Sequence, residues 1–204
     1  MANVLVLFAH PNQKHSRVNS LLARHAGQAS GITFADLYAE YPKFDIDIDR
    51  EQERLLAHDV LILQFPIYWY ATPSLLKEWL DLVLEYGFAY GTGGDKLKGK
   101  ALFPIVTAGG PRDAYSELGQ NNFRLRTLLS PLEQTANLCR MRFVPPFALF
   151  AANGAAADGR AREHLAAYTT LLDALRDDRF DFDQAERLDL LSGDMLPVLE
   201  RPAP

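Results

Sequence analysis

The chain has 204 residues, 48% of them hydrophobic and 23% charged, with a formal net charge of −5. These values suit one soluble globular domain and exclude a fibre or a disordered chain. An acidic surface repels phosphate backbones and anionic lipid heads, which leaves no nucleic acid and no direct lipid binding among the expected partners.

Short apolar runs recur along the chain, each followed by a stretch of helical spacing. VLVLFAH at residues 4–10 predicts a strand that leads into a helix over 16–26, ITFADLY at 32–38 a second strand, and residues 49–57 the start of a helix. VLILQFP at 60–66 predicts a strand before a helix over 73–84, in which Leu75, Leu76, Trp79, Leu82 and Val83 fall on one face. ALFPIVTA at 101–108 precedes a predicted helix over 122–137, and MRFVPPFALF at 141–150 precedes a last one over 158–176. Strands that are apolar on both faces and alternate with helices predict a doubly wound α/β fold, with a five-stranded parallel sheet and helices on both faces. The Pro- and charge-rich residues 181–204 read as a weakly structured tail packed on a neighbouring surface, after a domain spanning 1–180. The single cysteine, Cys139, reads as a small buried apolar residue suited to a reducing compartment. Residues 1–11 lack a basic lead-in and a small-residue cleavage site, and no stretch nears the roughly 20 apolar residues of a bilayer-spanning helix, so a cytoplasmic location is expected.

In open parallel sheets the ligand crevice lies beyond the carboxyl ends of the strands, and three strand-end loops stand out. HPNQKHSRVN at residues 10–19 sets polar groups before a helix whose first N–H groups have no partner, an arrangement that favours a phosphate. Ser16 and Asn19 supply hydrogen bonds there and His10 or Arg17 positive charge; otherwise Ser16 is an N-cap and the histidines are solvated. Neither a Walker-type glycine loop nor GxGxxG follows this strand. In the second loop, Pro66 and Pro73 stiffen the segment IYWYAT. Tyr68, Trp69 and Tyr70 either line a planar conjugated ligand or staple the loop to its own core. In the third, Gly109 and Gly110 of TAGGPRDAYSELGQ let the backbone approach a ligand closely or mark a turn, and Tyr115 either reaches back over the crevice or faces solvent.

Together, HPNQKHSRVN, YPKFDIDI, FPIYWYATPSLLKEWLDLVLEYGFAYG, TAGG and MRFVPPF resemble, in order, the flavodoxin-like NAD(P)H:quinone oxidoreductase family, within it the bacterial ancillary proteins of glutathione-gated potassium efflux systems. The resemblance implies bound FMN. It assigns His10, Ser16, Arg17, Val18 and Asn19 to the phosphate, and Ile67, Tyr68, Trp69 and Tyr70 to the flavin N5 and O4 edge. Thr107, Ala108, Gly109 and Gly110 fall to its O2 side. Tyr115 then stabilises negative charge on the reduced ring, and Asn121 stands where larger quinone reductases carry a histidine. Implied with these are NADH or NADPH as donor, a quinone or other electrophilic acceptor, two-electron hydride transfer and a homodimer. A membrane potassium efflux antiporter is implied as a partner, which places the protein at the inner membrane through another protein. The alternatives are a flavin-binding regulatory subunit without catalysis, a one-electron carrier, and an azoreductase. The glycine-rich residues 89–100 read as part of a shaped substrate cleft, which disfavours the carrier. No metal site is assigned.

Overall fold

The structure, a computed structural model, describes residues 1–193. Its sheet has the order β2-β1-β3-β4-β5 and every pairing is parallel: β1 is Val4–Phe8, β2 Ile32–Asp36, β3 Val60–Pro66, β4 Ala101–Thr107 and β5 Arg142–Phe143. The expected doubly wound sheet is present. Strand order reverses between β1 and β3, so the loops after these strands open a crevice at the sheet's carboxyl edge.

The fifth strand is split. β5 pairs with the start of β4 (Ala101↔Arg142), and β6, Phe147–Leu149, pairs with its end (Ile105↔Phe147). The segment between them holds one residue more than the facing stretch of β4, which makes a bulge. Pro145 and Pro146 have no N–H to give to a ladder, and the interruption falls where they stand.

The sheet separates two cores. On one face Leu5, Leu7, Leu61, Leu63 and Phe65 pack with helices α3 (Ile48–Leu56), α4 (Ser74–Val83) and α6 (Ser130–Leu138). On the other, Val4, Val6, Val60, Ile62 and Phe103 pack with α1 (Val18–Ala26) and α7 (Arg160–Arg176). This is the period-2 alternation of a strand buried on both sides. A short helix α2, Leu37–Glu40, follows β2 and is capped by the Asp36 carboxylate, which accepts from the Tyr38 and Ala39 N–H groups.

The single helix predicted over 122–137 is two, α5 (Leu125–Leu128) and α6, because Pro131 near the start of α6 cannot donate back to α5. The first part of the expected tail is ordered on the domain's own surface. Helix α8, Phe182–Ala185, begins it, and Leu191 donates to the Pro146 carbonyl at 3.0 Å beside β6. Phe182, Ala185, Leu188 and Leu191 recur every third residue and join the second core, and Arg142 holds Asp183 and Glu186. Residues 194–204 of that tail lie outside the described residues.

His164 on α7 is buried and stacked on Phe147, with ring centroids 4.4 Å apart, and its Nε2 has no hydrogen-bond partner among the described residues. Burial pushes its pKa down to about 4. The unfolded chain therefore binds a proton that the folded chain refuses as pH falls below 6.5. Stability is lost across the window from 6.5 to 4, by up to about 3 kcal/mol. Urea unfolding at a series of pH values should show this loss in the wild type and a shallower one in His164→Leu; parallel curves for the two proteins would contradict it.

Candidate functional site

The loops after β1, β3, β4 and β6 enclose a cleft of about 680 Å³ lined by His10, Ser16, Arg17, Val18, Ile67, Tyr68, Trp69, Thr107, Ala108 and Gly109. A smaller recess of about 290 Å³ adjoins it through Ile67, Trp69 and Gly109, and adds Tyr70, Gly110, Tyr115 and Asn121. All but one of the thirteen sites expected to hold a cofactor line one or other hollow. The exception is Asn19.

At the β1 end a single 3₁₀ turn, Gln13–His15, delays the helix, so α1 begins at Val18 and not at Ser16. The Ser16 Oγ accepts from the Ser20 N–H at 3.2 Å, which leaves the hydroxyl proton free to donate toward the cleft. Arg17 is exposed at the rim. His10 departs from the expected cation: it is 4% exposed, burial lowers its pKa, and its Nδ1 accepts from the Asn12 N–H at 3.1 Å. An Nδ1 that accepts carries no proton, so His10 is neutral and offers only an Nε2–H donor.

Asn19 lies beneath the floor, 2% exposed. Its Nδ2 donates to Thr107 Oγ1 at 2.6 Å, while its Oδ1 has no partner among the described residues. Gln64, also buried, donates to the Asn19 carbonyl at 3.2 Å and accepts from the Tyr168 hydroxyl at 2.8 Å. This buried chain ties β3, α1, α7 and the end of β4 under the cleft. It gives the Thr107 oxygen a donor, which leaves the Thr107 proton free for another acceptor.

The loop after β3 closes as a two-residue hairpin, with Tyr68 and Ala71 exchanging N–H···O bonds at 3.3 and 3.1 Å. Trp69 and Tyr70 occupy its tip with φ of 48° and 64°. Consecutive left-handed residues belong to the turn that Asn-Gly normally takes, and bulky side chains there are strained. Trp69 is nevertheless 93% exposed, so burial does not repay the strain. The reading of these rings as a staple to the core fails for Trp69. Tyr68 stands edge-on to His10, with centroids 5.9 Å apart. Of the four residues expected at the flavin edge, Ile67 spends its N–H on the Thr107 carbonyl and Tyr68 spends its own on the hairpin. Those of Trp69 and Tyr70, and that of Gly109 in the next loop, have no acceptor among the described residues. Replacing Trp69-Tyr70 by Asn-Gly should raise unfolding stability by about 1–2 kcal/mol while weakening ligand binding at the cleft. Thermal melts paired with FMN titration check this, and a destabilised variant would refute the strain.

In the third loop, Gly110 lies against the Tyr115 ring, and a Cβ there would stand 3.4 Å from it, an ordinary van der Waals contact, so this approach does not itself require glycine. The Tyr70 hydroxyl donates to Asn121 Oδ1 at 3.2 Å. Burial raises the Tyr115 pKa and Tyr70 adds to the effect, while hydrogen bonds from the Asn121 side chain and the Gly110 backbone pull it back.

A fourth loop went unforeseen: Ala152 and Asn153 also line the cleft. Arg160 fixes this loop by donating to the Phe150 and Ala151 carbonyls at 2.7 and 3.1 Å. The Asn-Gly pair at 153–154 just after a strand was the available signal. Residues 89–100 do not reach the cleft. They fold against α4, burying Ala89 and Leu97, and Tyr90 faces a separate apolar groove.

A five-stranded parallel sheet with this order, and a polar crevice at its switch point, define a flavodoxin-like α/β protein. The chain belongs to the flavodoxin-like fold family, which matches residues 2–172. It is 46% identical over 149 residues to the glutathione-regulated potassium-efflux system ancillary protein KefG of Enterobacter sp. (strain 638), covering 73% of this chain and 81% of that one. Among solved structures, it is similar to general stress protein 14 of Treponema denticola in complex with FMN, at 38% identity and a TM-score of 0.80 over 85% of this chain and 99% of that one. It is also similar to an NADPH-quinone reductase from P. pentosaceus, at 31% identity and a TM-score of 0.74 over 83% of this chain and 96% of that one.

Proposed function

We propose that the protein is an FMN-dependent NAD(P)H:quinone oxidoreductase that transfers two electrons as hydride. The observation that carries this reading is the donor set of the cleft. The Trp69, Tyr70 and Gly109 N–H groups lack acceptors among the described residues, the Thr107 hydroxyl already accepts from Asn19 and keeps its proton to donate, and Val18 at the start of α1 lines the cleft with Ser16 and Arg17. These donors suit a planar, acceptor-rich ring with a phosphate tail. The FMN bound by one structural relative and the name of another support the same reading.

FMN supplies a reversible hydride acceptor. The chain supplies the rest. Ser16, Arg17 and the α1 N-terminus hold the phosphate; neutral His10 donates from Nε2 without adding charge. Thr107, Gly109 and the Trp69 and Tyr70 N–H groups would hold the ring. Trp69 and Tyr68 exclude water from one side, leaving the recess beside Tyr115 for donor and acceptor in turn. Tyr115 presents a proton where negative charge develops. Holding the reactants at about 3–3.5 Å supplies much of the acceleration.

Adding FMN to the purified protein should give a bound-flavin spectrum that bleaches with NADPH or NADH and returns with a simple quinone. Tight FMN binding without bleaching would defeat the enzymatic reading. It would favour the second one, a flavin-binding regulatory subunit of a potassium efflux antiporter, which the KefG relatives support. The proposal includes a homodimer and attachment to the membrane through that antiporter; among the described residues no helix is long and apolar enough to cross a membrane.

A further inference from the structure

Behind Tyr115 lies a second hollow of about 440 Å³, walled by Phe150, Leu125, Leu188 and Leu190, with Arg112, Arg124 and Arg126 at its edge. Tyr115 is common to this hollow and to the recess beside the cleft. The three arginines gather in a chain whose net charge is −5, so the local field opposes the global one. They differ in how firmly they are held. Arg126 is committed, donating to both Glu133 oxygens and to the Leu188 carbonyl. Arg124 meets Glu117 at 3.3 Å, with both side chains more than half exposed, a pairing of little worth. The exposed Arg112 side chain has no ion pair or hydrogen bond among the described residues. One carboxylate, Asp189, also lines the hollow, and its charge acts on Arg126.

We infer that this hollow binds the adenosine 2′-phosphate end of NADPH, so that the protein selects NADPH over NADH. The apolar wall, with the edges of Tyr115 and Phe150, suits a planar base. A phosphate monoester carries about −1.5 to −2 charges and three acceptor oxygens. It therefore outcompetes the single charge of Glu117 for Arg124 and meets Arg112 at no cost in broken pairs. Arginine's forked donors favour phosphate in particular. The shared Tyr115 wall lets a dinucleotide keep its nicotinamide in the recess while its adenosine turns into the hollow.

The inference rests on the redox reading for its donor, but its test requires no turnover. Adenosine 2′,5′-bisphosphate and 5′-ADP, which carry similar charge differently placed, are titrated calorimetrically into FMN-loaded and FMN-free protein. The 2′,5′ compound should bind about tenfold tighter or more. The double variant Arg112→Ala/Arg124→Ala should lose that preference; circular dichroism confirms that it is folded. Equal affinities in the wild type, or a preference undiminished in the folded variant, would overturn the site. Selective binding without NADPH oxidation would instead count against the redox reading alone.

Discussion

Glu51→Ala lowers the free energy of unfolding by about 3–5 kcal/mol, the cost of orphaning a buried charge's partners. Glu51 on α3 is 0% exposed, and its carboxylate accepts from the Tyr41 hydroxyl at 2.6 Å, Trp79 Nε1 at 2.8 Å and Arg54 Nη1 at 2.6 Å. The first donor belongs to the chain after α2 and the second to α4, so one side chain joins three segments on one face of the sheet. Burial, then the hydrogen bond to Glu51, raise the Tyr41 pKa above its ordinary value, so the phenol remains a donor across the working range. Alanine strands the Tyr41 and Trp79 donors in a buried site, while Arg54 keeps its ion pair with Glu40 at 3.0 Å. Glu51→Gln keeps the volume and one acceptor oxygen but turns an amide N–H₂ toward donors, and should fall between the wild type and alanine. Urea midpoints with unchanged m-values would report both losses. A cost under about 1 kcal/mol for alanine would mean that water or a shifted Arg54 replaces the carboxylate.

Much of this architecture is legible in the sequence because it depends on local pattern. The runs at 4–8, 60–66 and 101–107 are buried throughout, and such continuous burial arises only where helices cover both faces. The loops at 10–19, 66–73 and 107–120 stood out for the same local reason, through prolines, glycines and aromatic residues out of place. What stayed hidden depends on pairs distant in the chain. Asn19 and Thr107 stand 88 positions apart, and only the sheet order brings their side chains together under the cleft. His10 loses its expected charge because β3 and the hairpin bury it, which no reading of its neighbours reveals. The left-handed tip at Trp69 and Tyr70 ran against propensity altogether; local rules predict Asn-Gly there. A failure of local consistency at a cleft is itself evidence that the conformation serves a ligand. The split fifth strand could have been foreseen from Pro145 and Pro146, and the docking of residues 182–191 from its three-residue apolar period.

Tyr115→Phe should reduce kcat about 10²–10³-fold while leaving FMN affinity near its wild-type value, the loss typical when one donor to a developing anion is removed. Tyr70 donates to Asn121 Oδ1, which leaves the Asn121 N–H₂ to act on Tyr115, and the Asn121 side chain and Gly110 backbone both pull the phenol's pKa down against burial. Tyr115 lines the recess beside Gly110 and Asn121, so its hydroxyl can donate to a ligand held there. Burial raises the Tyr115 pKa above the usual phenol value, so this proton stays in place throughout the neutral range and turnover should not depend on its loss below about pH 10. Tyr115 then acts as a fixed donor and not as a titrating acid. Asn121 cannot supply a titration either. Asn121→His should therefore impose a new pH dependence on kcat centred near 6.5, with Tyr115 still required. Steady-state rates of NADPH oxidation with a quinone, measured from pH 5 to 9, test both statements. If Tyr115→Phe retained more than a third of wild-type kcat, the proposed role of Tyr115 would fail, and the Trp69 and Gly109 N–H groups would be the remaining candidate donors.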